Sequence, residues 1–317
     1  MVSIMVWKMS MFFKHSAIYQ STKRASQSDF DHHHRHNYNK EQNLSLQDSH
    51  IISYTMKDRI QQSQLAKDKF HIVQNLLLYT DPNFKESVDR SPEKSKLRQK
   101  ELDDTLQANL NHPQVGSIHI MYTNPLLPIH IDGLALVNRH KLILQHFNST
   151  PFISHFLQYI EKNLQDQNVI VSNQDIELGE GWDKIDLDKF RDQKLMYALT
   201  RHAKSEHVQQ KHCYGAHMAN CNPGSKDHGS VDLFTFYFKG KVPEQMVREM
   251  TYTQAKYGME NVFIWYARNK WGYHVLNPCR VIVTYHIDCY HIDERGRSRQ
   301  KSGHIGIASM SNRLYKN

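Results

Sequence analysis

The sequence predicts an α/β fold built on a mostly parallel sheet, and three observations carry that expectation. Short apolar runs that read as buried strands recur from residue 70 onward, amphipathic helical stretches stand between them, and Pro, Gly, Asn and Asp mark the joints. The first strand is FHIVQNLLLY (70–79), ended by the Asp81-Pro82 step. Ser91-Pro92 opens a helix whose Leu97, Leu102, Leu106 and Leu110 fall mostly on one face. VGSIHIMYT and HKLILQHF are a second and third strand, and TPFISHFLQYIEKNL is a helix with its cap at Thr150-Pro151 and a stripe of Phe152, Phe156, Tyr159, Ile160 and Leu164. Strands follow at NVIVS, KLMYALTRH and VDLFTFYF. The stretches 243–258 and 259–272 read as helices, each closed by a glycine, and two short strands flank Asn277-Pro278.

Charge divides the chain differently from hydrophobicity. The 317 residues carry a net charge of +8 and a pI near 9.1. Residues 1–69 hold ten Lys/Arg against six Asp/Glu, and the chain from Glu294 onward holds six against one. The body between them is thus near neutral, whereas a nucleic-acid groove needs its charge on the folded face, so nucleic acid is not the expected partner. Residues 1–69 are rich in Ser, Gln, Asn and His (including His32, His33, His34 and His36), a composition for a disordered segment. The expected organisation is a low-complexity segment 1–69, one α/β domain 70–293 and a basic tail 294–317. The opening MVSIMVWKMSMFFKHSAIY is apolar but broken by Lys8 and Lys14, so it gives no clear transmembrane segment.

Cys213, Cys221, Cys279 and Cys289 include no close CxxC pair of the zinc-binding kind. Their spacings suit loop-closing disulfides, and a bridge between Cys279 and Cys289 would bracket the closing strand. With sequons at Asn43 and Asn148, this favours the secretory pathway (Golgi or ER lumen) over the cytoplasm.

The stretch NVIVSNQDIELGEG joins a buried strand to two carboxylates, Asp175 and Glu177. In open α/β sheets ligands bind outside the carboxyl ends of the strands, where these residues follow their strand. Side chains at i and i+2 of an extended chain point the same way, so the pair is expected to converge, and a hard cation would relieve its repulsion. An acidic surface turn is the plain alternative. Arg201 follows the next strand and can pair with a diphosphate or form a structural ion pair; Asp232 begins another. Neither GxGxxG, a Walker lysine loop nor GxSxG occurs, which leaves dinucleotide, P-loop and acyl-hydrolase chemistry unsupported.

Five ordered stretches carry a resemblance: RQKELDDTLQANLNHPQVGSIHIMY, VIVSNQDIEL, LMYALTRH, GSVDLFTFYF and YGMENVFIWYARNKWGYHVLNPCRVIVTYHIDCYHIDER. Together they resemble a little-characterised family of GT-A-type glycosyltransferases (nucleotide-diphospho-sugar transferases), across roughly residues 70–295. The resemblance implies a single GT-A-like domain that moves a sugar from a nucleotide-sugar donor to a hydroxyl on a glycan, glycoprotein or glycolipid. It makes Asp175-Ile176-Glu177 a DxD-like motif holding Mn²⁺ or Mg²⁺ on the donor diphosphate with His286, and points to Glu260 in GMEN as the residue that meets the acceptor. From the residues themselves, Arg98 and Arg201 join Asp175 as donor-binding candidates, and Asp232 is a second candidate for orienting or activating the acceptor, or a turn cap. Two other readings stay open: a non-catalytic member that binds glycans or a partner, and a metal-dependent phosphohydrolase using Asp175, Glu177 and His286.

Overall fold

A computed structural model describes residues 68–81, 91–210, 213, 221, 231–253, 258–291 and 304–316. The expectation of disorder for 1–69 therefore lies almost wholly outside the described residues. The elements run in the order β1 (Phe70–Asn75), α1 (Pro92–Asn111), β2 (Val115–Tyr122), α2 (Leu127–Gly133), β3 (Leu142–His146), α3 (Ile153–Asn163), β4 (Gln167–Ser172) and β5 (Ile176–Leu178). They continue as α4 (Leu187–Asp192), β6 (Leu195–Thr200), α5 (Ser205–Val208), β7 (Val231–Phe238), α6 (Glu244–Glu249), α7 (Met259–Asn269), β8 (His274–Leu276) and β9 (Thr284–His286).

Seven strands form one sheet in the order β3-β2-β1-β4-β7-β6-β8. All neighbours are parallel except β7, which runs antiparallel to β4 and β6. The mixed, mostly parallel sheet expected from the sequence is what forms. Both faces are covered, as parallel sheets require. Val73, Val169, Val171, Met196 and Ala198 point into one core with α3, α6 and α7. Ile72, Ile170, Leu195, Tyr197 and Leu199 point into the other with Leu102, Leu106 and Leu110 of α1. Strand residues alternate between the two, which is why these runs are continuously apolar.

Helix α1 starts as expected, with the Ser91 hydroxyl accepting from the Lys94 amide at 3.1 Å and Pro92 in the first turn. Its buried stripe is not the expected one. Leu97 is 40% exposed while Arg98, four residues before Leu102, is 4% exposed and occupies the inward position. Helix α3 begins at Ile153, after the expected Thr150 cap, and His155 Nδ1 accepts from the Phe152 amide. The long helix expected over 243–258 stops at Glu249, because the carbonyls of Met250 and Tyr252 accept from Ser154 and Ile153 at the start of α3. A tertiary bond thus replaces the helical one.

After β4 the chain leaves the main sheet and pairs β5 with β9 in a two-stranded antiparallel ribbon, with Ile176 opposite His286 and Glu177 opposite Tyr285. Gly181 permits the approach that follows: its φ is +88°, and a Cβ there would lie 1.9 Å from the Val281 carbonyl oxygen. The stretch from residue 304, expected as part of the basic tail, returns along the domain. His304 stacks on Trp265 with ring centroids 3.5 Å apart, Ala308 is buried, and the Leu314 carbonyl accepts from Tyr197 Oη at 2.6 Å.

Candidate functional site

The carboxyl ends of β4 and β6 and the start of antiparallel β7 meet at one edge of the sheet, and the β5–β9 ribbon lies beside them. Asp175 follows β4, Arg201 follows β6, Asp232 is the second residue of β7, and His286 ends β9. Backbone bonds fix these positions. The His202 amide donates to the Thr284 carbonyl at 2.7 Å, the His286 amide to the His202 carbonyl at 3.1 Å, and the Ile287 amide to the Asp175 carbonyl at 2.9 Å.

The side chains form a continuous charged chain. Arg98 Nη2 donates to Asp175 Oδ2 at 2.6 Å; that oxygen lies 3.4 Å from His286 Nε2. His286 Nε2 is 3.3 Å from Arg201 Nη1, which is 3.3 Å from Asp232 Oδ2. Five residues singled out in the sequence (Arg98, Asp175, Arg201, Asp232 and His286) are therefore assembled in one place. Nδ1 of His286 is buried without a hydrogen-bond partner, so this ring is not a satisfied core histidine.

Arg98 is buried among carboxylates of the chain. Its Nη1 reaches Glu101 Oε2 at 3.0 Å, Asp288 Oδ1 at 3.1 Å and the Ile287 carbonyl at 2.7 Å. Burial disfavours its charge, but Asp288, Asp175, Tyr79 and Glu101 outweigh that and hold the guanidinium well above its ordinary pKa. Burial likewise opposes ionisation of Asp175, yet His286 and Arg98 keep its carboxyl well below the usual carboxylate range. Arg98, expected as a donor-binding residue, thus meets three carboxylates of the chain itself.

The expected metal trio is not assembled. Residues opposite one another in an antiparallel ladder share a face, and successive residues alternate. The register puts His286 with Ile176 on one face of the ribbon and Glu177 with Tyr285 on the other. Glu177 Oε2 instead meets Lys204 Nζ at 2.7 Å. Asp175 escapes the i, i+2 rule because it precedes β5 and lies in a turn closed by the Ile176 amide on the Asn173 carbonyl. Asp175 and His286 alone keep an oxygen and an imidazole nitrogen 3.4 Å apart, a donor pair suited to Mn²⁺.

Sequence reasoning missed Glu101, Asp288, His291 and Lys204. His291 Nδ1 lies 2.6 Å from Asp288 Oδ2, and Glu101 Oε1 accepts from the Cys289 amide at 2.8 Å. Glu101 stands at i+3 from Arg98 on the inward face of α1, and Asp288 at i+2 from His286; those spacings were the signals available. Glu260 lies half-buried in the first turn of α7. That helix leads into β8, which is parallel to β6.

The expected Cys279–Cys289 bridge is replaced by Cys213–Cys289 and Cys221–Cys279. The extended run of β9 carries Cys289 away from Cys279 towards Glu101, where the segment after β6 supplies its partner. No helix among the described residues is long and apolar enough to cross a membrane.

No family model matches the chain. No curated protein matches it. Among solved structures it is similar to a protein assigned by name as a nucleotide-diphospho-sugar transferase from Desulfovibrio desulfuricans, with 12% identity, a TM-score of 0.34, and coverage of 53% of this chain and 63% of that one. It is also similar to S. aureus TarS, with 12% identity, a TM-score of 0.27, and coverage of 43% and 36%. A 4-diphosphocytidyl-2C-methyl-D-erythritol synthase matches with 11% identity, a TM-score of 0.37, and coverage of 73% and 96%. The chain thus spans less than two thirds of the length of the first two structures.

Proposed function

We propose that the chain is a metal-dependent glycosyltransferase that moves a sugar from a nucleotide-diphospho-sugar to a hydroxyl acceptor. The observation that carries this reading is the charged chain Asp175–His286–Arg201–Asp232 at the carboxyl edge of the sheet. The five stretches that resemble GT-A-type enzymes support it in part, because two of the residues that they imply, Asp175 and His286, meet in that chain, whereas Glu177 does not.

Asp175 and His286 are the residues to hold Mn²⁺ or Mg²⁺, which when bound would stabilise the negative charge of a departing nucleoside diphosphate. Arg98 holds Asp175 ionised and oriented. Arg201, 12% exposed at its side chain, presents a guanidinium beside that position and neutralises phosphate oxygens. Asp232 orients Arg201 and is itself fixed by Asn173 Nδ2 at 3.2 Å. Glu260, which the resemblance directs towards the acceptor, is the candidate to take the acceptor proton. The two disulfides, with the exposed sequon residue Asn148, favour the lumen of the secretory pathway.

The test is release of nucleoside diphosphate from a panel of UDP- and GDP-sugars by the full chain, with and without Mn²⁺. Mn²⁺-stimulated release that Asp175→Asn and His286→Gln abolish, and that Glu177→Gln leaves in place, is the expected result. One observation favours a non-catalytic binder instead: Asp175 and Glu177 each already face a cation of the chain itself. A thermal shift with nucleotide-sugar but no turnover of any donor would establish that reading and end the catalytic one.

A further inference from the structure

The segment after β6 brings a second cluster of ligand-type side chains together, outside the charged chain. His207 lies on α5, Cys213 follows it, and Cys289 lies three residues beyond His286. One ligand atom from each of the three lies within 4.8 Å of the others; both cysteines are buried and His207 is half-buried. No other group of three His, Cys, Asp or Glu residues among the described residues meets this criterion.

We propose that His207, Cys213 and Cys289 are a redox-gated binding site for a soft divalent ion of the Zn²⁺ type, closed by the disulfide and opened by its reduction. The chemistry of the donors leads to this assignment. Two thiolates and an imidazole are a preferred set for Zn²⁺, and ligands at about 2.0–2.3 Å from a tetrahedral ion stand roughly 3.5 Å apart; the two sulfurs are bonded to each other in this structure, so reduction must let them part to that separation beside His207. A water would complete the tetrahedral shell as the fourth ligand.

The two states are exclusive and balanced. In the oxidised chain each sulfur spends its valence on the other. A dithiol reductant breaks the S–S bond by thiolate attack through a mixed disulfide, becomes a cyclic disulfide itself, and leaves two thiols on the chain. The ion then displaces both thiol protons to solvent and takes the neutral imidazole as its third ligand. Either state would tie the segment after β6 to the end of the ribbon, by a bond in the oxidised chain and through the ion in the reduced one. The site also reaches the candidate active site. The Cys289 amide donates to Glu101 and its neighbour Asp288 pairs with Arg98, so the Arg98 cage is anchored through Cys289.

Co²⁺ is the probe, because thiolate ligation gives it charge-transfer absorption and tetrahedral geometry gives it intense visible bands. Full-length chain with Cys221→Ser and Cys279→Ser, so that one pair of cysteines remains, is titrated after reduction and after oxidation. The reduced chain should bind one ion per chain with both signatures, Zn²⁺ should displace it, and the oxidised chain should bind none. His207→Ala should weaken binding at least tenfold while keeping the thiolate band, and Cys289→Ser should abolish that band. If the double-serine background fails to fold, the comparison is made between the wild-type chain and His207→Ala, both fully reduced. Absence of the thiolate band on reduction, or equal affinity with and without His207, overturns the proposal.

Discussion

The two faces of the β5–β9 ribbon hold charges in opposite ways. On one face Asp175 and His286 join Arg98, whose side chain is 5% exposed and shared among three carboxylates. On the other, Glu177 and Lys204 form a single pair with side chains 16% and 25% exposed, next to Tyr285 and Glu180. The first arrangement cannot relax into water, so each member depends on all the others. The second can trade its partner for solvent at little cost. Two acids one residue apart in the sequence thus belong to different regimes, one tied into a buried network and one in a single half-exposed pair.

Removing the hub of the buried face should break the comparison most sharply. Arg98→Met strands Asp175, Asp288 and Glu101 without their common cation and should cost about 3–5 kcal/mol, read from the denaturant midpoint. Asp175→Asn comes next, at about 1–3 kcal/mol, since it takes a charge-assisted bond from a buried guanidinium. The sequence reading of two repelling acids implies the opposite sign, a melting temperature unchanged or raised.

A buried network without ions sharpens the comparison further. Ser117 Oγ sits 2.8 Å from His71 Nδ1 and 2.7 Å from His119 Nε2, and His119 Nδ1 lies 2.8 Å from Tyr159 Oη. Burial, with a smaller contribution from His71, pushes the pKa of His119 down to about 3. The unfolded chain takes up this proton near pH 6.5 and the folded chain does not until about 3. Stability from this group is therefore full above about pH 6.5 and falls by up to ~1.4 kcal/mol per pH unit below it. Denaturation midpoints between pH 7 and 4.5 should show a shallower slope in His119→Gln than in the parent chain. The smallest effect belongs to the half-exposed face: Glu177→Gln should change stability by roughly 0.2–1 kcal/mol, and less in high salt. A loss as large as that of Arg98→Met would erase the distinction between the faces.

Much of the fold was legible because strand runs and helix stripes are local patterns. VDLFTFYF is β7 over its whole length, and the Ser91-Pro92 signal opens α1 where expected. The short elements α2, α4 and β5 carried too few residues to show a period. Candidate site residues were legible where they follow strands, as Asp175 and Arg201 do. Glu177 was misjudged because its face depends on which residue of β9 lies opposite, and register is not written in the spacing of two acids.

What the sequence by itself determined is the alternation of strands and helices, the buried character of the sheet, and the placement of acids and bases at strand ends. These follow from apolar periodicity and turn chemistry, which act over a few residues. The tertiary structure alone decided which charges meet. Arg98 lies 77 residues from Asp175 and Cys213 lies 76 from Cys289; chain closure over such distances depends on the assembled sheet. The antiparallel register of β5 and β9 then sent Glu177 to Lys204 and left His286 with Asp175.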